Sequence, residues 1–284
     1  MKIYIIGIGL IGGSMAMDLK TIIEGIEVVG IDANKKHANQ ALELGIIDRI
    51  GTLDNVAEAD RVILSIPVKE SLALLPKLLD QLHSHALLWD VGSTKEQLCE
   101  LIANHSKRDQ FLAAHPIAGN EFSGPQAAHR DLFNGKPQIL CESNKTRPDL
   151  LTWAKRTFRE MGMYLRFMEA AEHDKHMAYV SHLSHISSFM LGKTVLEKEE
   201  DENNIFDLAG SGFESTVRLA KSSPEMWTPI FEQNKENVIE ILDAYIKNLE
   251  HFKKLLVNDD YKSLFQEMKN TNQLTSILNG INKK

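Results

Sequence analysis

Lys2-Ile-Tyr-Ile-Ile-Gly7-Ile-Gly9-Leu-Ile-Gly12 is the stretch that decides the fold of this chain. Its first residues form an apolar run typical of a buried strand, and they lead through a G-x-G-x-x-G pattern into a helical one. Glu27-Val-Val-Gly-Ile-Asp32 follows as a second strand, and its closing carboxylate lies 20 residues after the last glycine (32 − 12 = 20). Glycines between a strand and a helix, with an acid at this distance, predict a βαβ unit that binds a dinucleotide.

Each glycine of this fingerprint has a physical reason. Gly7 lets the chain turn tightly off the strand, Gly9 lets the backbone approach a pyrophosphate, and Gly12 lets the helix pack close to the sheet. The helix that follows presents free N–H groups and a partial positive charge to the same pyrophosphate. We therefore expect the cofactor's phosphates to bind at this turn, formed by Gly7, Gly9, Leu10, Ile11 and Gly12.

Asp32 is placed to accept hydrogen bonds from both hydroxyls of the cofactor's ribose. Its charge would repel a 2′-phosphate, so the sequence favours NAD over NADP. The basic residues of Asn34-Lys35-Lys36 follow closely, and they leave the strictness of that preference open.

Composition excludes several classes of protein. The chain has 284 residues, a formal net charge of −7, 43% hydrophobic residues and 25% charged residues, as expected of a globular protein with roughly two domains. No basic cluster suggests a nucleic-acid partner, and no apolar stretch reaches membrane-spanning length. The two cysteines, Cys99 and Cys141, lie far apart and outside any C-x-x-C motif, which argues against a disulfide framework and favours the cytoplasm.

Strand and helix patterns alternate through residues 1–167, which predicts an α/β domain with a parallel, doubly wound sheet. The predicted strands are Ile3–Ile6, Glu27–Ile31, Arg61–Ile66, Ala86–Asp90, Phe111–Ala114, Gln138–Cys141 and Tyr164–Phe167. Ligands of such sheets bind beyond the carboxyl ends of the strands. Ser65 and Pro67, which follow one of these strands, are therefore expected to contact the cofactor.

Residues 168–284 carry helical patterns without strand signals, and we expect them to form a separate all-α domain. Apolar residues recur at helical spacing from about Trp227 to Val257, which predicts one helix of about 45 Å. A domain of this size would not cover such a helix alone. The pattern therefore predicts a homodimer formed through the helical half.

Two residues that follow predicted strands are candidates for chemistry. His115 ends one strand, and a neutral imidazole is a natural base for the hydroxyl proton in the oxidation of an alcohol. Ser93 follows Asp90 at the end of the preceding strand. It or Thr94 would cap the next helix, contact the substrate, or do both.

The helical half offers four histidines and an arginine of interest. His173, His176, His182 and His185 point in different directions on a helix, so a four-histidine metal site is not expected. The two histidines of His182-Leu-Ser-His185 would either point into a cleft or serve only as polar side chains of the helix. Arg218 is of the residue type that binds a carboxylate in a bidentate way.

Taken together, these segments resemble the prephenate dehydrogenase family of tyrosine biosynthesis, over essentially the whole chain. The resemblance lies in the fingerprint, the D-V-G-S-x-K block at 90–95, the H-P-I-A-G-x-E block at 115–121, the two histidines at 182 and 185, and R-x-A-K at 218–221 followed by Trp227. It implies a Rossmann domain followed by a helical dimerisation domain. It also implies NAD-dependent oxidative decarboxylation of prephenate to 4-hydroxyphenylpyruvate, CO2 and NADH.

The resemblance also implies roles for individual residues. His115 would polarise the C4 hydroxyl of the substrate, and Ser93 would orient His115 or the hydroxyl. Arg218 would bind a substrate carboxylate, His185 would lie close to the substrate, and Glu121 would lie at the mouth of the pocket.

Three alternatives remain open at this stage. Arogenate dehydrogenase belongs to the same class, and a β-hydroxyacid-type dehydrogenase would need a catalytic lysine such as Lys175 or Lys221. A catalytically silent, NAD-binding dimer would leave Ser93, His115 and Arg218 without a reason to converge.

Overall fold

An eight-stranded sheet in the order β3-β2-β1-β4-β5-β6-β7-β8 organises the first part of the molecule. The computed structural model describes residues 1–120, 122–202 and 204–281. The strands are β1 (Lys2–Ile6), β2 (Glu27–Ile31), β3 (Arg49–Ile50), β4 (Arg61–Leu64), β5 (Leu87–Asp90), β6 (Phe111–Pro116), β7 (Pro137–Cys141) and β8 (Tyr164–Met168). The predicted α/β sheet is confirmed, and the sequence analysis missed β3, which is only two residues long.

Helices cover both faces of this sheet. They are α1 (Leu10–Ile22), α2 (Lys35–Glu43), α3 (Val68–Gln81), α4 (Glu96–Leu101) and α5 (Pro148–Glu160). Side chains of β1 alternate between the faces, so Ile3 and Ile5 join the core beneath α1 and α5, whereas Tyr4 and Ile6 join the core beneath α3 and α4.

The prediction of a parallel sheet is wrong for one pair of strands. β6 and β7 run antiparallel, with His115 opposite Ile139. A parallel connection needs a crossover that carries the chain back along the sheet. The segment between Pro116 and Pro137 contains only a short 3₁₀ turn, Pro125–Ala127, in its described residues. The chain therefore re-enters the sheet at the edge where β6 ended.

The described residues after β8 contain helices and no further strand, as predicted. These helices are α6 (Ala170–Met177), α7 (Leu183–Glu202), α8 (Ser211–Val217), α9 (Pro224–Gln233), α10 (Lys235–Val257), α11 (Tyr261–Thr271) and α12 (Leu274–Ile281). A π-helical turn, Ala178–His182, joins α6 to α7. Such turns insert one extra residue per turn and are frequent at functional sites.

The prediction of a single long helix from about Trp227 to Val257 is wrong. The segment divides at Asn234, whose φ of −111° and ψ of 28° lie outside the α-helical region. The Asn234 side chain donates to the backbone carbonyl of Asp174 at 2.7 Å. A tertiary contact thus accompanies the break, and α10, with 23 residues, is about 35 Å long.

By internal contacts the chain forms two compact units, residues 1–234 and residues 235–284. The second unit contains α10, α11 and α12, and α10 packs on α11 within it. The expected boundary between residues 167 and 168 stays a prediction. No helix in the described ranges is long and apolar enough to cross a membrane.

Candidate active site

The glycine fingerprint forms the turn between β1 and α1. Gly7 has φ of +92°, and a Cβ at this position would lie 2.1 Å from the carbonyl oxygen of Ser65. A Cβ on Gly12 would lie 2.1 Å from the Gly7 carbonyl oxygen. Both positions therefore require glycine for the fold itself.

Gly9 differs from the other two glycines. Among the residues that the structure describes, no atom lies within 4 Å of a Cβ built on Gly9, and no side chain caps the first turn of α1, which begins at Leu10. The backbone here is bare and followed by the N–H groups of Leu10, Ile11 and Gly12. This open cradle at a helix N-terminus fits a pyrophosphate.

Asp32 closes β2 beside this turn. Its Oδ2 accepts a hydrogen bond from the Ile8 N–H at 2.9 Å, and its Oδ1 accepts one from the Asn34 N–H at 2.8 Å. These bonds hold the carboxylate next to the fingerprint. A surface pocket of about 460 Å³ lies next to this position, lined by Asn34, Lys36, His37, Asn39, Gln40, Glu43 and Gln126.

A buried ion pair ties β5 to β6 further along the same edge of the sheet. Lys95 is 0% exposed, and its ammonium pairs with Asp90 Oδ2 and donates to the Ala114 carbonyl at 2.9 Å. Asp90 also accepts the Ala114 N–H at 3.2 Å and the Gly92 N–H at 2.9 Å. The end of β5 is thus hydrogen-bonded to Ala114, the residue that precedes His115.

His115 lies at the end of β6 and is 8% exposed. Its Nδ1 lies 2.9 Å from His173 Nε2, and His173 Nδ1 lies 2.7 Å from Asp174 Oδ1. Burial, reinforced by His173 and Lys95, holds the pKa of His115 well below its usual value. His115 is therefore a neutral imidazole at physiological pH.

Asp174 connects this chain of histidines to its surroundings. Its side chain accepts the N–H groups of Lys95 at 2.8 Å and Glu96 at 2.9 Å, at the start of α4. Asn234 donates to the Asp174 backbone carbonyl, and its Nδ2 also lies 3.1 Å from His182 Nδ1. The start of α4 and His173 therefore meet at the Asp174 carboxylate, and Asn234 and His182 are linked to the same residue through its backbone carbonyl.

His185 and Arg218 lie together on the helical side. The His185 ring stacks on Trp227, with centroids 3.6 Å apart and 29° between the planes. Burial is the main cause that lowers the pKa of His185, and the nearby charge of Arg218 contributes to the same shift. Arg218 itself is exposed, at the junction that follows α8.

Two buried ring N–H groups at this place lack an acceptor among the residues that the structure describes. Asn234 donates to His182 Nδ1, and burial lowers the pKa of His182 to about 4, so the ring is neutral with its proton on Nε2. His182 Nε2 and Trp227 Nε1 are both buried without a hydrogen-bond partner in this part of the chain. Unsatisfied buried donors point to a water or a ligand with acceptor oxygens.

The structure brings some of the predicted site residues together and not others. His185 and Arg218 lie near each other, and His115 lies against His173 and within electrostatic reach of His182. Ser93 is half-buried in the turn after β5, and Pro67 is the exposed residue that precedes α3. Glu121 lies outside the described residues.

Sequence reasoning missed three members of this cluster: Lys95, His173 and Asp174. Lys95 belongs to the D-V-G-S-x-K block without a role having been assigned to it, and His173 was considered only as a metal ligand. Among the described residues no group of three or more metal-ligating side chains is arranged to hold an ion. His115 and His173 are 58 positions apart in the sequence, and nothing in the sequence indicates that they are in contact.

Comparison with known families gives two matches in sequence order. A model described as the nucleotide-binding domain of prephenate dehydrogenase matches residues 15–166, and one described as its dimerization domain matches residues 169–270. Prephenate dehydrogenase of Bacillus subtilis is 32% identical over 275 residues, which cover 94% of this chain and 73% of that protein.

Solved structures resemble the whole chain. A crystal structure of prephenate dehydrogenase from A. aeolicus, in complex with hydroxyphenyl propionate and NAD⁺, has a TM-score of 0.88 at 31% identity and covers 98% of each chain. The structure of Synechocystis arogenate dehydrogenase has a TM-score of 0.78 at 28% identity and covers 98% of this chain and 100% of that one.

Proposed function

The chain belongs to the prephenate dehydrogenase family, and from that premise we propose that it oxidises and decarboxylates prephenate to 4-hydroxyphenylpyruvate and CO2 with NAD. One observation carries this proposal more than any other. A neutral, buried imidazole, His115, lies on the same sheet edge as the dinucleotide fingerprint. An oxidation of an alcohol by NAD needs those two features side by side.

NAD fits the residues that are present. The bare backbone at Gly9 accommodates the pyrophosphate, and the Asp32 carboxylate is held where the ribose hydroxyls bind. When bound, NAD accepts the hydride that leaves C4 of the substrate ring. The negative charge of Asp32 disfavours the 2′-phosphate of NADP.

His115 provides the proton acceptor. Its Nδ1 is engaged by His173, which leaves Nε2 to accept a hydrogen bond from the C4 hydroxyl of prephenate. The hydroxyl proton moves toward Nε2 as the hydride leaves and returns to the phenol oxygen when the ring carboxylate departs as CO2. The electron pair of the broken C–C bond completes the aromatic ring, so the step is balanced without an external acid.

The remaining roles concern the position of the substrate. Arg218 binds a carboxylate of prephenate, and its position near His185 supports this role. One face of the His185 imidazole stacks on Trp227, and the other face borders the substrate ring. Ser93 orients His115 or the hydroxyl from the turn after β5. Glu121 is proposed for the mouth of the pocket on the resemblance alone.

Arogenate is the second candidate substrate, because a relative of similar coverage is an arogenate dehydrogenase. Arogenate has an amine where prephenate has a keto group. The sequence offers no obvious additional acid to pair with that amine, so prephenate is the first choice.

We also propose a cytosolic homodimer. Exposed apolar side chains on α10 recur at intervals of three, four and seven residues, which indicates one continuous stripe: Ile239, Ile246, Leu249, Phe252 and Leu256. The family description of residues 169–270 as a dimerization domain supports a second copy as the partner. The two buried, free cysteines support a reducing compartment.

The test of the proposed activity is the formation of NADH or NADPH by the purified protein. Prephenate and arogenate are each supplied with NAD and with NADP. We expect turnover with prephenate and NAD. Turnover with arogenate alone would change the substrate, and no turnover with either would contradict the proposal.

A further inference from the structure

We infer that Asp174 and His173 are positioning residues that hold His115 in the tautomer with its proton on Nδ1, so that Nε2 is the free acceptor. This inference rests on the proposed function, since it explains how His115 is prepared to take the substrate's hydroxyl proton. His173 and Asp174 themselves are not placed in contact with substrate or cofactor.

The first step is the hydrogen bond between Asp174 and His173. A carboxylate can only accept hydrogen bonds, so the 2.7 Å contact requires a proton on His173 Nδ1. The carboxylate cannot turn away, because it also accepts the N–H groups of Lys95 and Glu96. Both Asp174 and His173 are 1% exposed, so water does not compete for this contact.

The second step passes from His173 to His115. A neutral His173 with its proton on Nδ1 has a lone pair on Nε2, so His115 Nδ1, at 2.9 Å, must be the donor. The rings meet edge to face, with centroids 5.1 Å apart and 71° between the planes. With its proton on Nδ1, the neutral His115 ring has its lone pair on Nε2.

Which of the two histidines donates the hydrogen bond between them depends on the charge of His173. A protonated His173 would donate from Nε2, and His115 would then carry its proton on the other nitrogen, where it could not act as a base. Burial outweighs Asp174 and lowers the pKa of His173. In the described part of the chain, the other titratable groups near the two rings are Lys95, Asp90 and His182, which lie at the start of α4, on β5 and in the π-helical turn.

The experiment reads the tautomer directly. Protein labelled with ¹⁵N at histidine is examined by long-range ¹H–¹⁵N correlation NMR without substrate, and the His115 signals are assigned from their absence in His115→Asn. We expect the wild-type protein to show a protonated Nδ1 and an unprotonated Nε2 at His115. A wild-type His115 protonated on Nε2 would overturn the inference at once, whatever the behaviour of any variant.

Variants connect the tautomer to the reaction. His173→Leu removes the acceptor, and we expect His115 to move toward the Nε2-protonated tautomer and kcat to fall on the order of 10²-fold with KM little changed. His173→Gln offers an acceptor oxygen near the same place and should restore both the tautomer and most of kcat. His176→Leu, an exposed histidine on the same helix, is the matched control and should match wild type.

The outcomes separate the inference from the proposed function. If wild-type protein fails to oxidise prephenate, the proposed function fails, and the NMR result still decides the tautomer. If His173→Leu keeps the wild-type tautomer and kcat, or if His173→Gln loses as much kcat as His173→Leu, the inference is wrong.

Discussion

At the scale of single residues, burial of side chains determines how the site is held together and which charge His115 carries. Lys95 and Asp90 form an ion pair with almost no exposure, and each also bonds a backbone group of Ala114 in the neighbouring strand β6. Removing one partner of such a pair leaves an uncompensated buried charge. The pair therefore holds the end of β5 against β6, and the same burial keeps His115 neutral.

Replacement of His115 by asparagine tests its role as proton acceptor. The amide lacks a basic nitrogen, so we expect kcat to fall on the order of 10²- to 10⁴-fold with KM little changed. Steady-state kinetics with prephenate measures the effect, and NAD binding by fluorescence should be unchanged. Unaltered turnover would remove His115 from the reaction.

Replacement of Arg218 by alanine tests the carboxylate site. Loss of a charge-assisted hydrogen bond of about 2 kcal/mol corresponds to roughly a 30-fold rise in KM for prephenate, with kcat changed far less. Lys221→Ala, another exposed cation of the same short segment, is the control. A fall in kcat at constant KM would contradict a role in substrate binding.

At the scale of elements, the reversal of β7 has a consequence for the site. Because β6 and β7 are antiparallel, the segment between them begins and ends at the edge that carries His115. Its described part packs on α1, where His129 N–H donates to Ser14 Oγ at 3.0 Å and Asp131 N–H donates to Asp18 at 3.1 Å. One segment therefore connects the β6 end to the helix that starts at the fingerprint.

The turn between β1 and α1 allows cofactor binding to be separated from folding. Alanine at Gly9 adds a methyl group with no atom of the described residues within 4 Å, so we expect an unchanged Tm. We expect NAD binding to weaken at least about tenfold, because the methyl projects into the cradle. Alanine at Gly12 would clash with the Gly7 carbonyl and should lower Tm. Thermal unfolding and NAD titration distinguish the two.

Gly210→Ala is the matched control for this experiment, because a Cβ there also has no described atom within 4 Å and the residue precedes helix α8. It should retain both Tm and NAD affinity. Wild-type NAD affinity in Gly9→Ala would show that the pyrophosphate does not approach this backbone.

At the scale of the whole molecule, buried histidines make stability depend on pH. The pKa values of His115, His173, His182 and His185 are all lowered, chiefly by burial. Unfolded histidines bind protons below about pH 6.5, whereas the folded ones do not until lower pH. Their contribution to stability is complete above pH 6.5 and is lost as the pH falls toward the folded values.

The free energy of unfolding should therefore be lower at pH 5.0 than at pH 7.5. His182, with a pKa of about 4, accounts for about 2 kcal/mol of this decrease. Urea denaturation at both pH values measures it, and His182→Asn should show a decrease smaller by that amount. An equal decrease in the variant would mean that His182 does not titrate as the structure indicates.

Dimerisation is the second property of the whole molecule. We expect sedimentation equilibrium to give twice the monomer mass of 32.0 kDa. Phe252→Asp places a charge in the apolar stripe of α10 and should shift the mass toward the monomer. Glu250→Asp, an exposed conservative change on the same helix, is the control, and a wild-type monomer at all concentrations would contradict the homodimer.

The sequence by itself determined the features that depend on neighbouring residues. The βαβ fingerprint, the order of the other strands along the chain, the helical second half and the positions of His115, Ser93 and Arg218 all follow from local patterns of polarity, glycine and spacing. Period-two and helical patterns reflect which face of an element is buried, so they can be recognised before the fold is known.

Only the tertiary structure decided how distant segments meet. The reversal of β7, the break at Asn234 and the chain from Asp174 through His173 to His115 depend on contacts between residues far apart in sequence. A hydrogen bond across 58 residues leaves no periodic trace in the sequence, because either histidine alone is compatible with a surface or a core position. Packing of α6 against the end of β6 is what turns two separate imidazoles into one oriented pair.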